Sequence, residues 1–91
     1  MQISTLFEPG QLFITSNAQS QLTNLDVLRG LRRHLNGDWG ELCEDDKAEN
    51  ELSLKEQFRL LSAYRSESGT KFWIITEGDR SLTTVLLPED Y

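Results

Sequence analysis

From Phe58 to Pro88 the sequence alternates with a period of two, broken by short polar turns, and this pattern constrains the fold more than any other feature. Phe58, Leu60 and Tyr64 share one face of an extended segment, with Arg59, Leu61, Ala63 and Arg65 on the other. Ser66-Glu67-Ser68-Gly69-Thr70 has the polar, glycine-containing composition of a hairpin loop. Lys71-Phe72-Trp73-Ile74-Ile75-Thr76 is aromatic and β-branched, as expected of a central strand buried on both faces. Glu77-Gly78-Asp79-Arg80 turns the chain again, and Ser81 to Leu87 supplies a third strand that Pro88 ends. Three strands joined by short loops imply a C-terminal three-stranded antiparallel meander.

The N-terminal half reads differently. The segment from Ile3 to Thr15 is broken at Glu8-Pro9-Gly10, a strong turn signal, leaving one or two short strands around Leu6-Phe7 and Gln11–Thr15. Thr15-Ser16-Asn17 can cap a short helix to Leu22. A second helix is expected from about Leu25 to Asn36. Thr23 or Asn24 would cap it, Asp26 suits its positive end, and Val27, Leu28, Leu31 and Leu35 form its apolar stripe. Gly37 is placed to end that helix in a left-handed conformation. A third helix starts near Glu44–Asp46, with Asp46 and Glu49 at capping-box spacing, and ends near Leu54 or runs on toward Leu60. The expected fold is therefore one α+β domain over residues 1–91, with two to three helices besides the strands. Ninety-one residues leave room for one core only, burying roughly 60–65% of the unfolded surface.

Charge is localised. Of the net −6, the stretch from Asp38 to Glu51 carries all of it: seven acids (Asp38, Glu41, Glu44, Asp45, Asp46, Glu49, Glu51) against Lys47, while the other eight acids balance the other eight bases. Phosphate contact needs clustered Lys and Arg, so direct nucleic-acid binding is not expected. The plain reading of such a run is a solvated acidic surface. The lone Cys43 permits no internal disulfide and suits a reducing cytosol. The opening Met-Gln-Ile-Ser-Thr-Leu-Phe lacks both a basic region and an apolar run, so no signal peptide is expected, and no apolar stretch is long enough to span a bilayer. A cytoplasmic protein is the resulting expectation.

No residue group forms a catalytic, metal or cofactor signature. His34, Asp38 and Glu41 lie close in sequence and could together bind a metal or run acid–base chemistry, but their spacing is not one used for ligands. The structural alternative places an imidazolium at the favourable C-terminal end of the second helix. Asp79 and Arg80, followed by Ser81, Thr83 and Thr84, could make a polar patch at one end of the sheet or simply a turn with solvent-facing threonines. Cys43 has no base beside it and is a poor nucleophile candidate. There is no phosphate-binding glycine loop, no nucleophile elbow and no calcium loop. Trp39, between Gly37-Asp38 and Gly40, is either a core plug or an exposed anchor for a partner.

The run His34…Gly37-Asp38-Trp39-Gly40…Asn50…Arg59…Ser62-Ala63-Tyr64-Arg65, with Trp73-Ile74-Ile75-Thr76…Asp79-Arg80-Ser81…Thr83-Thr84…Leu86-Leu87-Pro88-Glu89-Asp90-Tyr91, resembles a family of short plasmid-related proteins of bacterial plasmids and integrative elements. The likeness runs from about Phe7 onward. Some members bear restriction-modification labels, yet this chain has no methyltransferase motif. The resemblance implies a mobile-element setting and supplies no activity, cofactor or site. The expectation is thus a non-enzymatic accessory protein of a mobile element that binds a protein partner. Its candidate contact residues are Asp38, Trp39, Glu41, Asp45, Asp46, Glu49, Asp79 and Arg80. An acidic DNA mimic that inhibits a nucleic-acid-binding host protein is the first alternative, and a small hydrolase or nuclease using His34 with Asp38 or Glu41 the second. A meander also leaves two edges, either of which permits a homodimer.

Overall fold

The computed structural model describes residues 5–91. The start of the expected first segment, at Ile3, and most of the stretch read for a leader lie outside them. Strand β1 (Gln11–Ile14) leads into helix α1 (Ser16–Gln21), helix α2 (Asn24–Leu35) and helix α3 (Glu44–Glu56); strands β2 (Leu60–Arg65), β3 (Lys71–Thr76) and β4 (Leu82–Leu86) follow, and a 3₁₀ turn over Pro88–Asp90 ends the chain. The protein is α+β. The last three strands pair antiparallel in sequence order, but they are not a sheet by themselves: β1 adds to β4 in parallel, giving a mixed four-stranded sheet of order β1-β4-β3-β2. The reason is non-local. After β1 the chain spends α1, α2, α3 and two strands before β4 returns beside it, and alternation within four residues cannot reveal so distant a partner.

The helices begin where side chains can serve the free N–H groups. Thr15 caps α1. Thr23 caps α2 in a reciprocal box in which its hydroxyl accepts from Asp26 N and Asp26 accepts from Thr23 N, both at 3.0 Å. The second Asp26 oxygen accepts from Glu67 N in the β2–β3 hairpin, which ties the helix start to the sheet. The box anticipated at Asp46 and Glu49 does not form. Helix α3 starts at Glu44, within the expected range, but its cap is Cys43, three residues before Asp46 and without a side-chain bond, and Glu44, Asp45 and Asp46 all fall in its first turn. Three acids beside the positive end of the dipole stabilise that start without a cap. At the other end Gln57 takes the left-handed conformation and stops the helix.

One sheet face packs against α1 and α2, where Ala18, Leu22, Tyr64, Phe72, Ile74, Val85 and Leu87 form the core and Ile14, Val27 and Leu31 close its margin. Gly30 lets α2 approach closely: a Cβ there would meet the Phe72 ring at 2.9 Å. Helix α3 lies beside β2, with Asn50 and Ser53 as its buried residues. Between α2 and α3 the chain runs along the β2 edge. Gly40 makes a parallel bridge with Ala63, in which Ala63 N donates to Trp39 O at 3.1 Å and Glu41 N donates to Ala63 O at 2.7 Å.

Gly40 has φ +76°, and a Cβ on it would collide with the Ala63 carbonyl oxygen; Gly69 has φ +93° with nothing near it. Both positions penalise a side chain through backbone strain, roughly 1–2 kcal/mol, but only Gly40→Ala also forces the bridge apart. Urea denaturation should show Gly40→Ala losing at least about 2 kcal/mol more than Gly69→Ala, the added cost of a forced core contact and lost edge bonds. Equal losses would mean that the bridge contributes little.

Candidate functional site

The sequence places a histidine, two carboxylates, a tryptophan and a run of acids around one stretch of chain, and folding separates them. His34 is in the last turn of α2, on the face turned to the sheet, and is completely buried. Its Nδ1 lies 2.6 Å from Ser62 Oγ on β2, and its Nε2 lies 2.9 Å from Thr76 Oγ1 on β3. Thr76 Oγ1 is 2.7 Å from Thr83 Oγ1 on β4, and the Thr83 hydroxyl donates to the Pro9 carbonyl at 2.7 Å. That last bond sets the direction of all the others. A carbonyl only accepts, so the single Thr83 proton is committed to Pro9 and Thr83 must accept from Thr76. Thr76, its proton spent, accepts from His34 Nε2–H. Nδ1 is then the ring's acceptor, and Ser62 donates to it. The imidazole is the neutral Nε2–H tautomer, and no buried side-chain polar atom among the described residues lacks a partner.

Burial pushes the His34 pKa down to about 3, with the Arg80 guanidinium adding repulsion. This corrects both readings of the residue. It is not an imidazolium serving the helix dipole, and it meets neither Asp38 nor Glu41. Asp38 is exposed and accepts from Arg33 Nε and Nη2 at 2.7 and 3.3 Å, a hydrogen bond that holds its pKa below the usual carboxylate value. Glu41 pairs with Arg65 at 3.1 Å. No group of three or more His, Cys, Asp or Glu that could hold a metal is found among the described residues.

Trp39 is 3% exposed, so it cannot be the partner anchor that an aromatic between glycines suggests. Its ring meets His34 edge-on at 5.9 Å, opposite Phe7 at 5.3 Å, and its Nε1–H donates to Glu51 at 2.9 Å. In a domain this small a tryptophan is more useful as core than as surface. Arg80 is also absorbed by the fold. It holds φ +61°, and its Nη1 donates to the carbonyls of Phe58, Glu77 and Gly78 while Nη2 donates to that of Ser53. It clamps the end of α3 to the β3–β4 turn. Asp79 bonds the amide and hydroxyl of Ser81 within the same turn.

Of the expected contact residues, Asp45, Asp46 and Glu49 remain, exposed on α3 beside the half-exposed Leu52 and outside the ion pairs formed among the described residues. Sequence reasoning passed over an apolar surface. Leu12 (56% exposed), Phe13 (52%) and Leu28 (63%) border a groove of about 430 Å³ between β1 and α2, floored by Ile14, Leu31 and Val85. The signal was present in Leu12-Phe13-Ile14, which is too apolar for a solvated edge. Comparison with protein-family models, with curated proteins and with solved structures returned no match.

The buried histidine predicts a specific acid response. The unfolded chain takes up a proton as pH falls through 6.5, whereas folded His34 resists down to about 3. Its contribution is therefore complete above pH 6.5 and is lost as pH falls toward 3, at up to about 1.4 kcal/mol per pH unit. Asp26 and Asp38, whose folded pKa values are lowered from 3.8, lose their contribution only below about pH 4. Denaturant unfolding should thus show about 2 kcal/mol lost between pH 7 and 5. His34→Gln, less stable at pH 7, should show a nearly flat profile over that interval; a parallel slope in the variant would assign the loss elsewhere.

Proposed function

We propose that this chain is a non-enzymatic accessory protein of a bacterial mobile element that acts by binding another protein chain, and that the open edge of β1 with the adjoining face of α2 is where it docks. The observation that carries this is the exposure of Leu12, Phe13 and Leu28 around a strand edge that no segment among the described residues pairs with. Native sheets normally blunt such edges with charge, proline, bulges or a covering segment, and an exposed apolar edge marks a place where another strand adds. The mobile-element setting rests on the resemblance to plasmid-related proteins alone. The hydrolase reading has lost its geometry, because His34 is sealed and bonded to hydroxyls rather than to a carboxylate.

A second reading keeps one supporting observation. Asp45, Asp46 and Glu49 sit on one solvent face of α3 without a basic neighbour in an ion pair, which suits a basic partner, including a protein whose DNA-binding surface they would occupy. Three of the seven acids expected to act together are committed elsewhere: Asp38 to Arg33, Glu41 to Arg65 and Glu51 to Trp39. The mimic would have to work with fewer charges than the sequence promises.

Capture on immobilised protein, from bacterial lysate and from a solution of the free chain itself, separates the two. Phe13→Lys should abolish retention of the bound protein, while the triple variant Asp45→Asn, Asp46→Asn, Glu49→Gln should leave it intact. The reverse result, with retention that also falls steeply as salt is raised, would place docking on α3 and discard the β1 reading.

A further inference from the structure

The two edges of this sheet are built in opposite ways. On β2 the outward main-chain groups of Ala63 are bonded by the 39–41 segment, and those of Leu61 by Asn50, whose Nδ2 donates to Leu61 O at 2.6 Å while its Oδ1 accepts from Leu61 N at 3.2 Å. That edge is closed. On β1, Gln11 N donates to Ser81 O and Thr15 N to Val85 O, so residues 11, 13 and 15 turn their main-chain groups to β4. Strand alternation then directs the N–H and C=O of Leu12 and Ile14 outward. Among the described residues no segment pairs with them, and Gln11-Leu12-Phe13-Ile14 contains no charge to discourage pairing.

We infer that the occupant of this edge is a second copy of the same chain, adding antiparallel across a two-fold axis centred on Phe13 to make one continuous eight-stranded sheet. The inference rests on the reading of β1 as a docking edge and names what docks there. Two outward residues flank one inward residue, so the edge is complementary to itself: Leu12 exchanges both main-chain bonds with the partner's Ile14, and Ile14 with the partner's Leu12. Phe13 falls at the non-hydrogen-bonded pair, the position of nearest side-chain approach, and its half-exposed ring meets its own mate. On the α2 face, the partner's Leu12 and Ile14 extend the apolar surface that Leu12 and Leu28 leave open beside the groove.

Charge favours a copy at this edge despite the net −6. The densest group of acids outside ion pairs, Asp45, Asp46 and Glu49, is on α3, which lies beside β2 at the far side of the β1-β4-β3-β2 order, while near β1 there are Glu8 ahead of the strand and Asp90, bonded to Thr15 just after it. Pairing through β1 sets the two acidic helices at opposite ends of the joined sheet, well beyond the roughly 8–10 Å over which salt screens exposed charges. A foreign basic partner would instead be drawn to α3.

Sedimentation equilibrium of the whole chain, up to about 1 mM so that even a millimolar self-affinity registers, tests this. Dimer is expected. Phe13→Lys on one face and Leu28→Glu on the other should each weaken it by about tenfold or more, and because both positions are exposed, circular dichroism should report folded monomers. In a mixed sample of ¹³C-labelled and unlabelled chains, intermolecular contacts should join Leu12 of one copy to Ile14 of the other. A wild-type chain that stays monomeric, or a dimer that both variants leave intact, overturns the inference. A monomer that nonetheless retains a lysate protein in a Phe13-dependent way would overturn self-pairing while leaving the docking edge standing.

Discussion

The hydrogen-bond relay through His34 holds the architecture together. From Ser62 through His34, Thr76 and Thr83 to the Pro9 carbonyl, it joins β2, α2, β3, β4 and the segment leading into β1. Thr76 and Thr83 each donate once and accept once and Ser62 donates to the ring, so losing any member leaves a buried neighbour unpaired, at a cost of about 1–3 kcal/mol per orphaned group. The relay also fixes geometry that apolar packing alone would leave loose. It sets the rotation of α2 on the sheet, and it aligns the Pro9 carbonyl so that the next residues enter parallel to β4. Phe7 and Trp39 shut the imidazole in from two sides. An interior linked by such a relay is a specific one, because every proton in it has a single consistent place.

The same relay explains which parts of the structure could be read from sequence. The α2 helix was legible because its signals are local, a Thr cap and a glycine after the last turn, but its buried face was not: Asp26, Gly30 and His34 turn inward, while of the expected apolar stripe Val27 and Leu31 reach only the core margin and Leu28 is 63% exposed. Strand β3 was legible because Phe72, Ile74 and Ile75 have few other uses. His34 was not legible, since a histidine in a last helical turn looks solvent-facing until Ser62 and Thr76 are brought to it from 28 and 42 residues away. Ser62, Thr76 and Thr83 present the same difficulty, because polar residues on a strand suggest an outward face. Here they are a buried polar row on the face that receives α2. Arg80 was noticed for the wrong reason: its pairing potential is spent on four carbonyls within the protein.

Removing Trp39, Arg80, Asp38 and Glu41 from the candidate contact surface leaves a molecule with two distinct exposures. An uncharged apolar edge lies along β1 and α2, and an acidic helix face lies beyond the closed β2 edge. They sit on opposite sides of the sheet: the 39–41 segment and Asn50 occupy β2, while among the described residues nothing equivalent occupies β1. The acidity that stands out in the sequence is thus the more ordinary of the two. The short Leu-Phe-Ile strand is the departure from how a solvated sheet edge is made.

Nitrogen NMR of the His34 ring reads the direction of the buried relay, on which the interior's order depends. With ¹⁵N-labelled protein, the ring should show a protonated Nε2 and an unprotonated Nδ1, unchanged from pH 7 down to about 4.5, well above its folded pKa. A ring protonated at Nδ1, or one converting to imidazolium near pH 6.5, would mean that the Thr83-to-Pro9 bond does not order the interior and would contradict the account.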